Sequence, residues 1–218
     1  MHIAEGVLPP VILASCAALS AAGVCIGVKK LDYDRLMTTA ILSASFFVAS
    51  LIHIPIGPVS GHLILNGLLG LLLGWVAFPA ILVALVLQAI LFQFGGITSL
   101  GVNTLNMALP PVICFYIFRP MLTNGSTSLR FAAFFCGFTA VALSAIFTSG
   151  TLALGGDNFI NSAKILLASS VPVMIIEGLI TAVVVSFIAK VSPQLFPFTI
   201  NTPQASPTTQ SAASSTAE

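Results

Sequence analysis

From Leu36 to Phe118 the chain contains no Asp, Glu, Lys or Arg. Soluble domains carry about 25% charged residues and need them on the surface, so no water-exposed fold is built from such a stretch. The scarcity extends to all 218 residues, which are 6% charged and 57% hydrophobic with a mean hydropathy of +1.10. The chain therefore belongs in a bilayer. It has no charge run and no basic patch, so membrane lipid surrounds it and nucleic acid is not expected as a partner.

Apolar runs bounded by turn residues predict seven helices, roughly Val7–Val28, Leu36–Ile54, Gly61–Phe78, Pro79–Phe94, Asn103–Met121, Leu129–Gly150 and Lys164–Lys190. A hydrocarbon core about 30 Å thick needs about 20 helical residues. The third and fourth runs are shorter and meet near Phe78–Pro79. The fold class is all-α, a polytopic membrane bundle of about seven helices. The first run has its lysines, Lys29 and Lys30, behind it rather than before it. It reads as a retained helix and not as a cleaved signal.

The seven basic residues sort the two faces. With seven passes, Lys29, Lys30, Arg35, Arg119, Arg130 and Lys190 fall on one side and Lys164 on the other. The positive-inside rule makes the first side cytoplasmic. The N-terminus is then extracytoplasmic and the C-terminus cytoplasmic, in the inner (plasma) membrane. Residues 1–192 form the membrane domain, and 193–218, rich in Ser, Thr, Ala and Pro, read as a disordered cytoplasmic tail.

All three histidines, His2, His53 and His62, then fall at the outer face. His2 has particular chemistry. A chain that keeps Met1 offers the α-amino nitrogen, the Met1–His2 peptide nitrogen and the His2 Nδ1, which close a five- and a six-membered chelate ring around one metal ion. One imidazole in the remaining equatorial place completes a planar nitrogen set. This set suits nickel(II) or copper(II), and cobalt(II) when low-spin. His62, beside Gly61 at the start of a helix, is the preferred fourth ligand, with His53 as the other candidate.

Asn103 and Asn106 are three apart and share a helix face. They either cap and link helices or hold the N-terminal segment and orient an imidazole. Asn66 lies one turn beyond His62, and Gln88 and Gln93 are weaker candidates of the same kind. Glu177 is the one acidic residue deep in an apolar run. An intramembrane carboxylate is costly, and its distance from the outer face points to a structural or coupling role. Glu5 either attracts cations or is simply solvated. Cys16, Cys25, Cys114 and Cys136 lie in apolar runs without CxxC spacing and read as small hydrophobes.

There is no G-x-x-x-x-G-K-[ST] loop, no HExxH and no carboxylate pair beside the histidines. The chain is not expected to be an enzyme or to hydrolyse ATP, and no cofactor is expected beyond a transported ion.

"MHIAEG", "PIGPVSGHLILNGLLGLLLG", "LFQFGGITSLGVNTLNMALP" and "PVMIIEGLITA" together resemble the CbiM/NikM family. These proteins are the substrate-binding (S) components of energy-coupling factor (ECF) transporters for cobalt and nickel. The resemblance runs from Met1 to about Lys190. It implies a six-helix S-component core plus an N-terminal helix. It also implies metal held by the Met1 amine, the His2 backbone and ring nitrogens, and His62. The implied partners are a transmembrane coupling (T) subunit, separate ATPase subunits and a small membrane accessory subunit, with Ala40 and Ala44 facing the coupling subunit. The motifs look more like the cobalt branch, which supplies corrinoid (cobalamin) synthesis. Nickel is the alternative, and an organic vitamin is the more remote one.

Overall fold

The computed structural model describes residues 2–56, 59–123 and 128–200, with the backbone alone at 53–56 and 59–61. Among the described residues the chain forms seven α-helices: α1 Pro10–Lys29, α2 Leu36–Ser50, α3 Asn66–Leu73, α4 Ala77–Phe92, α5 Leu100–Thr123, α6 Leu129–Ala153 and α7 Ile160–Val191. A short antiparallel hairpin, β1 His53–Ile56 and β2 Val59–His62, joins α2 to α3. Five helical stretches are long and apolar enough to cross a membrane: Pro10–Lys29, Asn66–Phe92, Leu100–Thr123, Leu129–Ala153 and Asp157–Val191. The architecture is an all-α membrane bundle carrying one small hairpin.

Between α2 and α4 three boundaries differ from those the apolar runs predict. α2 stops at Ser50 rather than Ile54, and α3 starts at Asn66 rather than Gly61. The intervening segment holds β-branched Ile52, Ile54, Ile56 and Val59 with Pro55 and Pro58. Such residues favour extended backbone, and proline cannot donate inside a helix. The turn between α3 and α4 falls at Gly74–Val76, not at Phe78–Pro79. Pro79 instead lies in the first turn of α4, where a backbone N–H has no helical partner to lose.

Contacts along the chain show the helices running alternately up and down. Arg35, at the start of α2, donates to the carbonyl of Leu72 near the end of α3 (3.2 Å) and to that of Leu195 beyond α7. Gln88 near the end of α4 donates to Ser50 at the end of α2 (2.7 Å), and Asn103 in the first turn of α5 binds Ile3. One end of the bundle thus gathers His2, His62 and Asn103. The other gathers Lys30, Arg35 and Arg119 around a cavity of about 270 Å³.

α3 is the centre of the bundle, and all eight of its residues are buried. Gly67 makes that possible: a Cβ there would come within 2.4 Å of the Gly137 Cα on α6. Small residues at such crossings let backbones meet closely in lipid. Around this centre, Val11, Ile41, Val83, Phe131 and Phe187 are exposed, as the lipid-facing shell of such a bundle must be. The four cysteines are free, three of them buried and Cys25 exposed on α1.

Beyond α7 the described residues run on to Ile200, with a 3-10 turn at Pro193–Leu195 and with Phe196 and Phe198 buried. Those two rings and the Arg35 grip on Leu195 fasten the segment beneath the bundle. The rest of the expected tail, 201–218, lies outside the described residues.

Candidate metal centre

The N-terminal segment lies over the histidine end in a seat made by α5 and the loop before it. Asn103 binds both polar groups of Ile3: the Ile3 N–H donates to Oδ1 (2.9 Å), and Nδ2 donates to the Ile3 carbonyl (3.1 Å). One carboxamide thereby does the work of a neighbouring strand. Nδ2 also reaches Ser99 Oγ at 3.3 Å. The Ile3 side chain is buried with Leu8, Cys16 and Val102, which anchors the segment on its apolar side.

The loop from Phe94 to Ser99 closes the seat. Gly95 and Gly96 have φ of +79° and +135°, where side chains are disfavoured. A Cβ on Gly95 would come within 2.7 Å of Asn103 Nδ2, and one on Gly96 within 2.0 Å of Glu5 Cγ. The loop approaches the segment only because it carries glycines. The Glu5 carboxylate accepts the Thr98 N–H at 3.1 Å, so it fastens the segment rather than standing loose in solvent.

This seat brings the His2 ring against that of His62, with centroids 5.1 Å apart and planes inclined by 28°. Phe94 covers His2 at 6.1 Å. His2 Nε2 lies 2.8 Å from Gln88 Oε1. His62 is 6% exposed, and its Nδ1 lies 3.2 Å from the Leu63 carbonyl oxygen. A carbonyl only accepts, so in a neutral His62 ring the proton is on Nδ1 and the lone pair on Nε2. His53 pairs with His62 in the β1–β2 register. Its side chain and Met1 lie outside the described residues.

Glu177 acts on the same region from α7. Its carboxylate accepts the N–H of Ile64 and of Leu65, the latter at 2.8 and 3.0 Å. Leu65 has φ +55°, a left-handed conformation that costs a residue with a Cβ about 1–2 kcal/mol. The carboxylate holds the chain in that bend. It also sits at the N-terminus of α3, where peptide dipoles favour negative charge. It therefore fixes the two residues that link His62 and Leu63 to the central helix.

Asn66 and Asn106 turn elsewhere. Asn66 donates to Ser144 (2.8 Å) and Asn106 to Thr151 (2.9 Å), so both tie their helices to α6. Gln93 ends α4 with φ +56°. Ser50, Phe94 and Gly95–Gly96 belong to the site although the sequence reading gave them no role. The paired glycines just before the asparagine-bearing helix are the one signal that pointed to them. Among the described residues no three His, Cys, Asp or Glu side chains converge. Ala40 and Ala44 stand far from this centre, exposed on α2 and lining an apolar groove of about 360 Å³ against α4.

One end of this helical membrane bundle thus brings two imidazoles face to face. Residues 2–195 match the model of a family described as the cobalt uptake substrate-specific transmembrane region, and the chain belongs to that family. A putative metal transport protein of Haemophilus influenzae is 42% identical over 205 residues, 92% of this chain and 99% of that one. A cobalt transport protein CbiM of Kyrpidia tusciae is 32% identical, over 94% of this chain and 89% of that one. A putative fused nickel transport protein NikMN of Archaeoglobus fulgidus is 33% identical, over 89% of this chain and 68% of that one. A crystal structure of a transition metal transporter superposes with a TM-score of 0.77 at 30% identity, covering 88% of this chain and 93% of that one. The chain is an integral membrane component of the cobalt and nickel transport family.

Proposed function

We propose that the chain is the metal-capturing subunit of an ATP-driven ECF-type importer, with Co²⁺ as its cargo. Met1 supplies its amine, His2 its backbone nitrogen and Nδ1, and His62 its Nε2. The observation that carries this reading is the 5.1 Å approach of the two rings. Imidazole nitrogens bind an ion such as zinc at about 2.0–2.1 Å, so two rings on adjacent corners of a square hold centroids about 4.5 Å apart, and on opposite corners about 6.4 Å. The separation here is closer to the adjacent arrangement. The chelate demands that arrangement, because the corner it leaves lies between the Met1 amine and the His2 Nδ1.

Nickel is the second reading. A planar nitrogen set suits Ni²⁺ on geometry, and the relatives include proteins named for each metal. The chain binds and orients the ion and carries out no reaction on it. Energy comes from ATPase partners through a transmembrane coupling subunit, with a small membrane accessory subunit completing the complex. Ala40 and Ala44 suit the contact with the coupling subunit, since they are small, exposed and set beside an apolar groove. The histidine end faces outward, because the basic end is cytoplasmic.

Radiolabelled Co²⁺ and Ni²⁺ uptake in cells expressing the whole complex tests the reading and chooses the ion. Accumulation of neither above an empty-vector control overturns it. His2→Ala, or one residue added before Met1, is expected to abolish uptake with membrane insertion intact. Full uptake by the extended chain contradicts the terminal chelate.

A further inference from the structure

We infer that Gln88, oriented by Ser50, is the positioning residue that selects which nitrogen of His2 faces the ion. The Ser50 hydroxyl carries one proton, which it donates to the Phe47 carbonyl oxygen of its own helix at 2.6 Å. Its oxygen is then an acceptor for Gln88, 2.7 Å away. The group of Gln88 that faces Ser50 must be the amide NH₂. A planar carboxamide with its nitrogen on that side turns Oε1 to the other, where it lies 2.8 Å from His2 Nε2. A carboxamide oxygen only accepts. The proton of a neutral His2 ring is therefore on Nε2 and its lone pair on Nδ1.

Nδ1 is the nitrogen that closes the six-membered chelate ring, whereas Nε2 stands too far from the peptide nitrogen to do so. An isolated imidazole exchanges its proton between the two positions. Here the choice is made by a backbone carbonyl of α2, passed through a hydroxyl and an amide. Gln88 is 0% and Ser50 1% exposed, so neither bond is freely exchanged for one to solvent. In the other tautomer two lone pairs would face each other across 2.8 Å. His62 is set in the complementary way, with its proton on Nδ1 toward Leu63. The two rings thus enter the site with opposite tautomers, one presenting Nδ1 and the other Nε2.

This inference rests on the proposed metal site, but its first test does not need a metal. Solid-state ¹⁵N NMR of the full chain in lipid bilayers, labelled at histidine and metal-free, reads the proton on each ring nitrogen, with His2→Ala identifying the His2 signals. The wild-type chain is expected to show Nε2 protonated and Nδ1 unprotonated at His2. A proton on Nδ1 overturns the inference whatever the variants do. Gln88→Met keeps the volume and removes the amide. It is expected to mix the two His2 tautomers and weaken Ni²⁺ or Co²⁺ binding in equilibrium dialysis 10–100-fold, the usual effect of losing a partner behind a metal-bound histidine. Gln88→Glu restores an acceptor to Nε2 and is expected to recover the tautomer and most of the affinity. Ser50→Ala is expected to fall between.

Unchanged His2 signals and affinity in Gln88→Met overturn the inference. So does lost affinity with unchanged signals, which would make Gln88 a plain tie between α2 and α4. A wild-type chain that binds neither ion defeats the metal reading instead and leaves the tautomer result standing.

Discussion

The two ends of the bundle are held by different chemistry. At the histidine end the polar contacts run through amides, hydroxyls and two carboxylates: a carboxamide on the Ile3 backbone, an amide on an imidazole, a hydroxyl on an amide, and Glu5 and Glu177 accepting backbone N–H groups. At the other end the contacts are cationic. Arg35 grips two carbonyls, Lys30 lies 5.6 Å over the Trp75 ring, and Arg119 lies 5.6 and 5.8 Å from the rings of Phe115 and Phe198. Such hydrogen bonds are directional and short, and they fix the orientation of the rings and backbone they touch. Cation–ring contacts tolerate loose geometry and contribute about 0.5–1 kcal/mol each when exposed. They anchor the chain but do not position a ligand.

This contrast is open to mutation. The largest effect is expected from Glu177→Leu, which leaves the buried Ile64 N–H without its acceptor, at roughly 1–3 kcal/mol, and the half-buried Leu65 N–H at a smaller cost. Both thermal stability in detergent and metal affinity by dialysis should fall, because the bend after His62 is no longer held. Stable protein with wild-type affinity would show that the bend holds itself. Asn103→Ala is next. It releases the Ile3 backbone and should weaken metal binding about 10–100-fold, in the range for groups that orient ligands, with a smaller loss of stability. Amide exchange at Ile3 reads the release directly, and continued protection there would contradict the clamp. The smallest effect is expected from Arg35→Met, a loss of about 1–2 kcal/mol of stability with metal affinity unchanged. A drop in affinity would mean that the two ends are coupled through α3.

Much of the fold is legible in the sequence, because hydropathy in a bilayer is a strong and local signal. Each of the seven apolar runs corresponds to one helix, though most ends differ by a few residues, and the alternation of the charges matches the alternation of the helices. What is not legible is where α3 begins. That depends on Glu177, more than a hundred positions away, holding Leu65 in a conformation that local preference opposes. The approach of His2 to His62 was open to chemical argument, since a histidine in second position gains two chelating neighbours. Ser50 and Gln88 were harder to see. Serine and glutamine are common in helices, and only their distance from a ring gives them meaning. Asn66 and Asn106 make the converse point: spacing puts a residue on a face, but the neighbouring helix decides what it bonds.

The shortness of α3 has a consequence for how the protein is made. Eight residues of helix rise about 12 Å, less than half of a 30 Å hydrocarbon core. Such a segment is not inserted as a span by itself and has to enter the membrane paired with α4. Its seat is not ready at that moment. Gly67 packs on Gly137, and Ile64 and Leu65 bond Glu177, so both partners leave the ribosome after α3 does. The central helix of the finished bundle is then among the last to reach its place. Until α7 arrives, the histidine that ends the hairpin has no fixed address.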